Sequence, residues 1–308
     1  MNMNKGLMFP DDLFDIKDLE LYQKTVSAGY IVAKEKRILF CGICRNVGDH
    51  LERNILRIKF SASFFKDYHI FIYENDSNDN TKDILEKYND EKLDFVSESR
   101  NDKNYQMLID GGHDPCHYNR CKVLASCRNK YMDYIDKHED YDIVCVLDLD
   151  LWGGWSYNGL LHSVAVLYNR EENGAVTAYG VLSDPYNRTD LEENDPRRYI
   201  MYDCFAFRPN GEYKAVKKVS TGRFNFINQR PGSNAAFVNS NFNGLALYKR
   251  EAISGLKYHA KKWDEESVDC EHISLHHNIK QKGWDIIFNP SLLVSYAHHK
   301  YSRIPLNE

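Results

Sequence analysis

The chain lacks any apolar run approaching the roughly 18–20 residues that cross a bilayer. Its opening, MNMNKGLMFPDDLFD, also lacks the basic-then-apolar order of a signal peptide. A cytoplasmic protein without a transmembrane segment is the expectation. Charge of one sign is scarce too: the formal net charge is −5 over 308 residues. That leaves no broad basic surface for a polyanion, and no nucleic-acid partner is expected. No internal repeat or low-complexity segment is present. The 8 cysteines include one C-x-x-C, Cys41 and Cys44, but no second pair stands at zinc-finger spacing. They read as reduced, mostly buried packing residues.

Apolar material is ample. A 43% hydrophobic content with 13% aromatics supports a large core in one α/β domain. After a polar extension over 1–35, strands are predicted at 36–43, 68–73, 93–97 and within 142–150, with helices at 48–65, 80–89 and 119–138 between them. Asp79 or Asn78 is the expected cap of the second helix. This β-α-β-α-β series implies right-handed crossovers and a mainly parallel, doubly wound sheet flanked by helices. Further along, 175–181 and 202–207 look strand-like, and 208–234 reads as a mobile surface segment. Order returns at 235–248, followed by a helix at 269–282 and strands at 284–288 and 291–296. One domain with a nucleotide-sugar half (36–182) and an acceptor half (183–308) is the economical division.

The most informative stretch is DIVCVLDLD, residues 142–150, an apolar and largely β-branched run that empties into Asp148 and Asp150. Such a run reads as a strand buried on both faces, so the aspartates fall at its carboxyl end, where open α/β sheets bind ligands. Carboxylates at i and i+2 of an extended segment point to one side. Hard oxygens in that arrangement suit magnesium or manganese bridging phosphate oxygens. A solvated turn is the commoner reading of such a triplet, and its place after a buried strand brings the metal reading level with it.

Other strand ends share that edge. The first closes on Arg45 and Asn46, and the second on Glu74, Asn75 and Asp76, whose acidic and amide groups suit a base or ribose; Asx turns are the alternative. Arg128, in the helix before the Asp-X-Asp strand, is placed to pair with a pyrophosphate oxygen through its bidentate fork. A solvent-facing arginine is the plainer reading of that position, and Arg120 is a weaker candidate. Trp152 and Trp155, in LWGGWS, offer either a sugar-facing platform or core packing.

CRNVGDHLERNI, YENDSNDNTKDIL, the RN of LASCRNKYM and VLDLD together resemble the donor-binding half of GT-A fold glycosyltransferases. With NFNGLALYKREAI and DCEHISLHHNIKQKGWDIIFNPSLLVSY, the likeness extends over about 36–296 to the fungal capsule-associated α-1,3-mannosyltransferase family. The chain departs from those proteins in lacking a membrane anchor, so compartment and sugar are not carried across. The resemblance implies a GT-A, Rossmann-like fold and a metal-dependent transfer from a UDP- or GDP-sugar to a glycan or glycoprotein acceptor. It implies Mn2+ or Mg2+ on Asp150 and Asp148, with His298 or His299 as a third ligand, His298 preferred. Asn239, Asn241, Asn243 and Gly244 fall where that family places donor or acceptor sugar, and an asparagine-rich turn explains them as well. Asp269 and Glu271 resemble the site where inverting members keep a general base; in a retaining enzyme they would position the acceptor, and helix capping explains them equally. Two rival readings remain. A sugar-phosphate nucleotidyltransferase calls for a glycine-rich basic loop where CRNVGD stands, and a degenerate carbohydrate-binding module sits poorly with intact Asp148, Asp150 and Arg128.

Overall fold

The apolar runs become strands and the periodic segments helices, in the order α1 (Leu19–Ala33), β1 (Arg37–Cys44), α2 (Gly48–Ala62), β2 (Asp67–Asn75), α3 (Thr81–Tyr88), β3 (Leu93–Glu98), α4 (Tyr118–Lys137) and β4 (Ile143–Leu147). There follow β5 (Gly154–Trp155), α5 (Tyr157–Tyr168), β6 (Asn173–Ser183), β7 (Tyr199–Met201), β8 (Arg208–Pro209), β9 (Ala236–Ser240) and β10 (Leu245–Lys249). The chain continues through α6 (Arg250–Ile253), β11 (Lys261–Lys262), β12 (Val268–Asp269), α7 (Glu271–Gln281) and β13 (Asp285–Ser295). This computed structural model describes residues 4–100, 118–183, 199–211, 229–262, 268–296 and 306.

The main sheet runs β3-β2-β1-β4-β10-β6-β13-β9-β8. β3, β2, β1 and β4 are mutually parallel, and β13 is parallel to β6. β10 lies antiparallel between β4 and β6. The sheet is therefore mixed with a mainly parallel centre, as expected, and its order reverses between β1 and β4. Alternate strand residues feed two cores: Leu39, Cys41 and Val146 pack with α4 and α7, while Ile38, Phe40 and Cys145 pack with α2, α3 and α5. The 7 cysteines among the described residues are all free and buried.

Several expectations are corrected. Residues 1–35 are more than a polar extension: α1 packs along α5, so closely at Gly29 that a Cβ there would overlap the Leu161 carbonyl oxygen. The second strand-like run is displaced, because the strand is Tyr199–Met201 and residues 202–207 turn away from the sheet. Strands 284–288 and 291–296 are one strand, β13, whose register shifts between Phe288 and Leu293 around Pro290, which has no N–H to give the ladder. Part of the supposed mobile segment is held, since Arg208 is buried and Gly232 N donates to Ser291 Oγ at 3.0 Å; residues 212–228 lie outside the described residues.

Beneath α1, burial pushes the Asp11 carboxyl up to about 6, with a Ser156 hydrogen bond opposing and Asp12 adding to the rise. A folded value above the unfolded one, about 3.9, means that the native state binds more protons between the two. The charged form thus costs stability above pH 6, and that cost vanishes below about pH 4. Asp11→Asn is expected to stabilise the protein at pH 7 by about 1–3 kcal/mol, with the gain fading as pH falls through 6 toward 4. Urea denaturation at several pH values measures this; a gain that is constant with pH contradicts it.

Candidate active site

Every strand near the order reversal delivers its end to one edge. β1, β2 and β4 finish there, antiparallel β10 begins there, and β6 and β13 finish there. The register pairs Leu245 with Leu147, which sets Gly244 beside Asp148, whose N–H donates to the Gly244 carbonyl at 2.9 Å. Gly244 has φ +88°, and a Cβ there would strike the Tyr296 hydroxyl. Only glycine fits both demands.

Asp148 is anchored. Its Oδ1 accepts from Arg128 Nη2 at 3.2 Å and its Oδ2 from the Tyr296 hydroxyl at 2.7 Å. Asp150 is the open carboxylate: it reaches solvent from a recess in the protein, and this enclosure, with the Asp148 charge second, pushes it up to about 6. The backbone carrying both is gripped from α2. Asn54 Nδ2 donates to the carbonyls of Leu149 (3.0 Å) and Leu151 (2.9 Å), while Arg57 Nη1 donates to Asn54 Oδ1 (3.0 Å) and the Trp152 carbonyl (3.3 Å). Gly154, at φ +77°, leaves room for the Arg57 guanidinium, which a Cβ would approach to 2.7 Å.

Arg128 joins two carboxylates, since its Nε donates to Glu271 Oε1 at 2.9 Å while Nη2 holds Asp148. Its Nη1 is buried without a hydrogen-bond partner among the described residues. The Phe242 ring lies 5.1 Å from the guanidinium carbon, and His272 stacks on Phe242 at 3.8 Å. Burial, then the Arg128 and His276 charges, hold His272 well below the usual histidine range, so Arg128 is the cation of this cluster.

The loops after β1 and β2 are tied to each other. Asn46, at φ 52°, accepts from Asn78 N on Oδ1 (2.9 Å), and its own N–H donates to Ser77 Oγ (3.0 Å). The N-cap of α3 is Asn80, one residue past the expected Asp79, and Asp79 ties the starts of two helices, accepting from Gly48 N at 2.9 Å and Thr81 N at 3.0 Å. Glu74 is fully buried, with Oε1 taking Ser77 N at 2.7 Å and Oε2 taking the Ser97 hydroxyl, so its carboxylate shapes this loop. Asp76, also at φ 52°, accepts from Arg100 N at 2.9 Å. Asn75 is buried and accepts from Cys127 Sγ at 3.6 Å, which links this loop to the residue before Arg128. Arg45 is partly buried at the same edge.

The structure thus gathers Asp148, Asp150, Arg128, Glu271 and Gly244, and sets Arg45, Asn46, Glu74, Asn75 and Asp76 beside them. Asn243 does not present its side chain. It is fully buried at φ 57°, donates to Asn241 Oδ1 and receives the Asp203 N–H on Oδ1 at 3.0 Å. Asp269 parts company with Glu271: its Oδ1 takes Arg208 Nη2 at 2.9 Å, and it lines a separate cavity of about 440 Å³. Trp155 is core, donating to Ser61 Oγ at 3.0 Å, while Trp152 packs on His50. His298 and His299 lie outside the described residues.

Tyr296, Tyr202, Asp203 and the Asn54 and Arg57 pair escaped the sequence reading. Asn54 and Arg57 left a usable signal, because they are polar residues on the stripe of Leu51, Ile55 and Ile58 and are buried with it. Chemically, one anchored and one open carboxylate offer the hard oxygens that Mg2+ or Mn2+ takes. No group of three His, Cys, Asp or Glu side chains that could hold a metal gathers among the described residues. The remaining coordination would fall to phosphate oxygens and water.

No protein-family model matches the sequence and no curated protein matches it, so the fungal family gains no support there. Solved nucleotide-sugar glycosyltransferases are similar in fold. One is the mannosyltransferase PcManGT from Pyrobaculum calidifontis in complex with GDP-Man and Mn2+, at 15% identity and a TM-score of 0.47. That alignment covers 92% of this chain and 65% of that one, so this chain spans less than two thirds of its length. Another is glucosyl-3-phosphoglycerate synthase from Mycobacterium tuberculosis in complex with Mn2+, UDP and phosphoglyceric acid, at 13% identity and a TM-score of 0.44, covering 92% of this chain and 76% of that one.

Proposed function

We propose that this protein is a metal-dependent Leloir glycosyltransferase of the GT-A type, moving a sugar from a UDP- or GDP-linked donor to a glycan or glycosylated acceptor. The carrying observation is the pairing of anchored Asp148 with open Asp150 at the sheet's order reversal, beside a buried arginine with an unused N–H. Asp150 and Asp148 would hold Mn2+ or Mg2+, which when bound supplies Lewis-acid stabilisation of the departing diphosphate. Arg128 adds fixed positive charge on the same side. Arg45, Asn46, Asn75 and Asp76 face the nucleoside in this reading, with Glu74 fixing their loop. Glu271 holds Arg128 in place through the 2.9 Å ion pair, a positioning role. Asp269, turned to Arg208, takes no part in proton transfer. No helix among the described residues is long and apolar enough to cross a membrane, and a cytoplasmic setting is part of the proposal.

Calorimetry with UDP and GDP, in Mn2+ and in chelator, tests the donor site. Metal-dependent tightening with one nucleotide preferred is expected, and a nucleotide-sugar panel scored for slow hydrolysis then identifies the sugar. Equal affinity with and without metal rejects the proposal.

A further inference from the structure

Past β7 the chain places an aromatic ring and a carboxylate beside Asp148, on the side away from the β1 and β2 loops. Tyr202 is 40% exposed, unusual for so large a ring next to a core. It is nonetheless fixed: its N–H donates to the Gly180 carbonyl at 2.9 Å, and its ring stacks on Tyr296 at 3.5 Å between centroids and 22° between planes. Tyr296 in turn donates to Asp148, so the platform is tied to the proposed metal site. Asp203 is half-buried; its N–H is held by Asn243 Oδ1 at 3.0 Å and its Oδ1 by Ala206 N at 2.9 Å. The Asn243 backbone N–H also acts on this carboxylate, which keeps further lone pairs for a ligand.

We infer that Tyr202 and Asp203 form the acceptor subsite, with the Tyr202 ring stacking on the apolar face of a neutral pyranose and the Asp203 carboxylate accepting hydrogen bonds from its hydroxyls. The inference deepens the glycosyltransferase reading and rests on it for the word acceptor. A fixed ring with one carboxylate is the combination a sugar demands, because its C–H face is apolar and its rim carries donors. The charge of the edge narrows the class. Asp148, Asp150, Asp203 and Glu271 set four carboxylates along this edge against two arginines, Arg128, which pairs with Asp148 and Glu271, and Arg120, whose charge acts on Asp150 and Tyr202, and the Asp148 and Glu271 charges both act on Asp203. An anionic group on the acceptor would meet that field, whereas a neutral ring would not. The nucleoside is placed across Asp148, which leaves this side to the sugar.

Saturation-transfer NMR with methyl α- and β-pyranosides of glucose, galactose and mannose, and with their 6-phosphates, reads the subsite without nucleotide. The wild type is expected to saturate ring C–H protons of at least one neutral pyranoside. Tyr202→Ala should weaken this binding about tenfold and Tyr202→Phe by no more than about threefold, since the ring and not the hydroxyl carries the contact. Asp203→Asn should weaken it about tenfold through loss of the charged acceptor. Unchanged binding in folded Tyr202→Ala, no neutral pyranoside bound by the wild type, or a preference for the phosphates each overturns the inference. Calorimetry of the Mn2+-nucleotide complex on the same variants separates the two readings. A Tyr202→Ala loss confined to the nucleotide gives the ring to the base and overturns the subsite, whereas a wild type that binds pyranosides but no nucleotide fails the donor reading alone.

Discussion

Asp150→Ala is expected to abolish the metal-dependent part of nucleotide binding and to lower the proposed transfer by roughly three orders of magnitude, about 4 kcal/mol of barrier. The size follows from the division of labour at the edge. Both oxygens of Asp148 already accept protein hydrogen bonds, from Arg128 and Tyr296, so the carboxylate open to an ion is Asp150. Without it a bound cation would lose its unencumbered protein oxygen, and the charge growing on a departing diphosphate would go unmatched. Thermal stability should not fall at pH 7, because the substitution removes a carboxylate charge that enclosure and Asp148 make costly to hold. Calorimetry with UDP and GDP in manganese and in chelator is the measurement; a variant that keeps the wild-type gain from manganese would sink the metal bridge.

Arg128→Met is expected to be the most destabilising change at the site, at about 3–5 kcal/mol, because it strands buried carboxylate charge. Glu271 is only 3% exposed, and Arg128 is its ion-pair partner at 2.9 Å. Asp148 loses its anchor in the same step. Lysine does not repair the defect, since one ammonium cannot reproduce donors at both Nε and Nη2. The double variant Arg128→Met with Glu271→Gln removes the stranded charge and should recover much of the stability but none of the nucleotide affinity. Urea denaturation together with nucleotide titration separates the two effects. A single variant as stable as the wild type would show that the pair is not buried in solution.

The gathering of these residues at one sheet edge was legible in the sequence because it depends on local pattern. An apolar run ending in Asp148 and Asp150, and helices spaced to return the chain, fix which strand ends share an edge, and Arg128 falls on the inner face of the intervening helix. What was illegible depends on partners far along the chain. Asp269 and Glu271 look equivalent in SVDCEHIS, yet one meets an arginine 61 positions away and the other an arginine 143 positions away, on different sides of the turn into α7. The run 202–207 reads as a strand by its apolar alternation, and nothing local shows that a buried amide at Asn243 draws the backbone of Asp203 out of the ladder. Asn243 itself looked like a ligand contact for the same reason.

The antiparallel strand β10 bears on how the molecule comes into being. It fills the slot between β4 and β6, yet it is made some 60 residues after β6 ends. During synthesis β4 and β6 therefore wait with open, apolar flanks, and the sheet's centre closes only when Leu245–Lys249 has left the ribosome. The glycine that steadies Asp148 arrives with that strand. Loss-of-function truncations anywhere before it would remove the active site as completely as loss of the aspartates themselves, and the nascent chain is most exposed to aggregation in that interval.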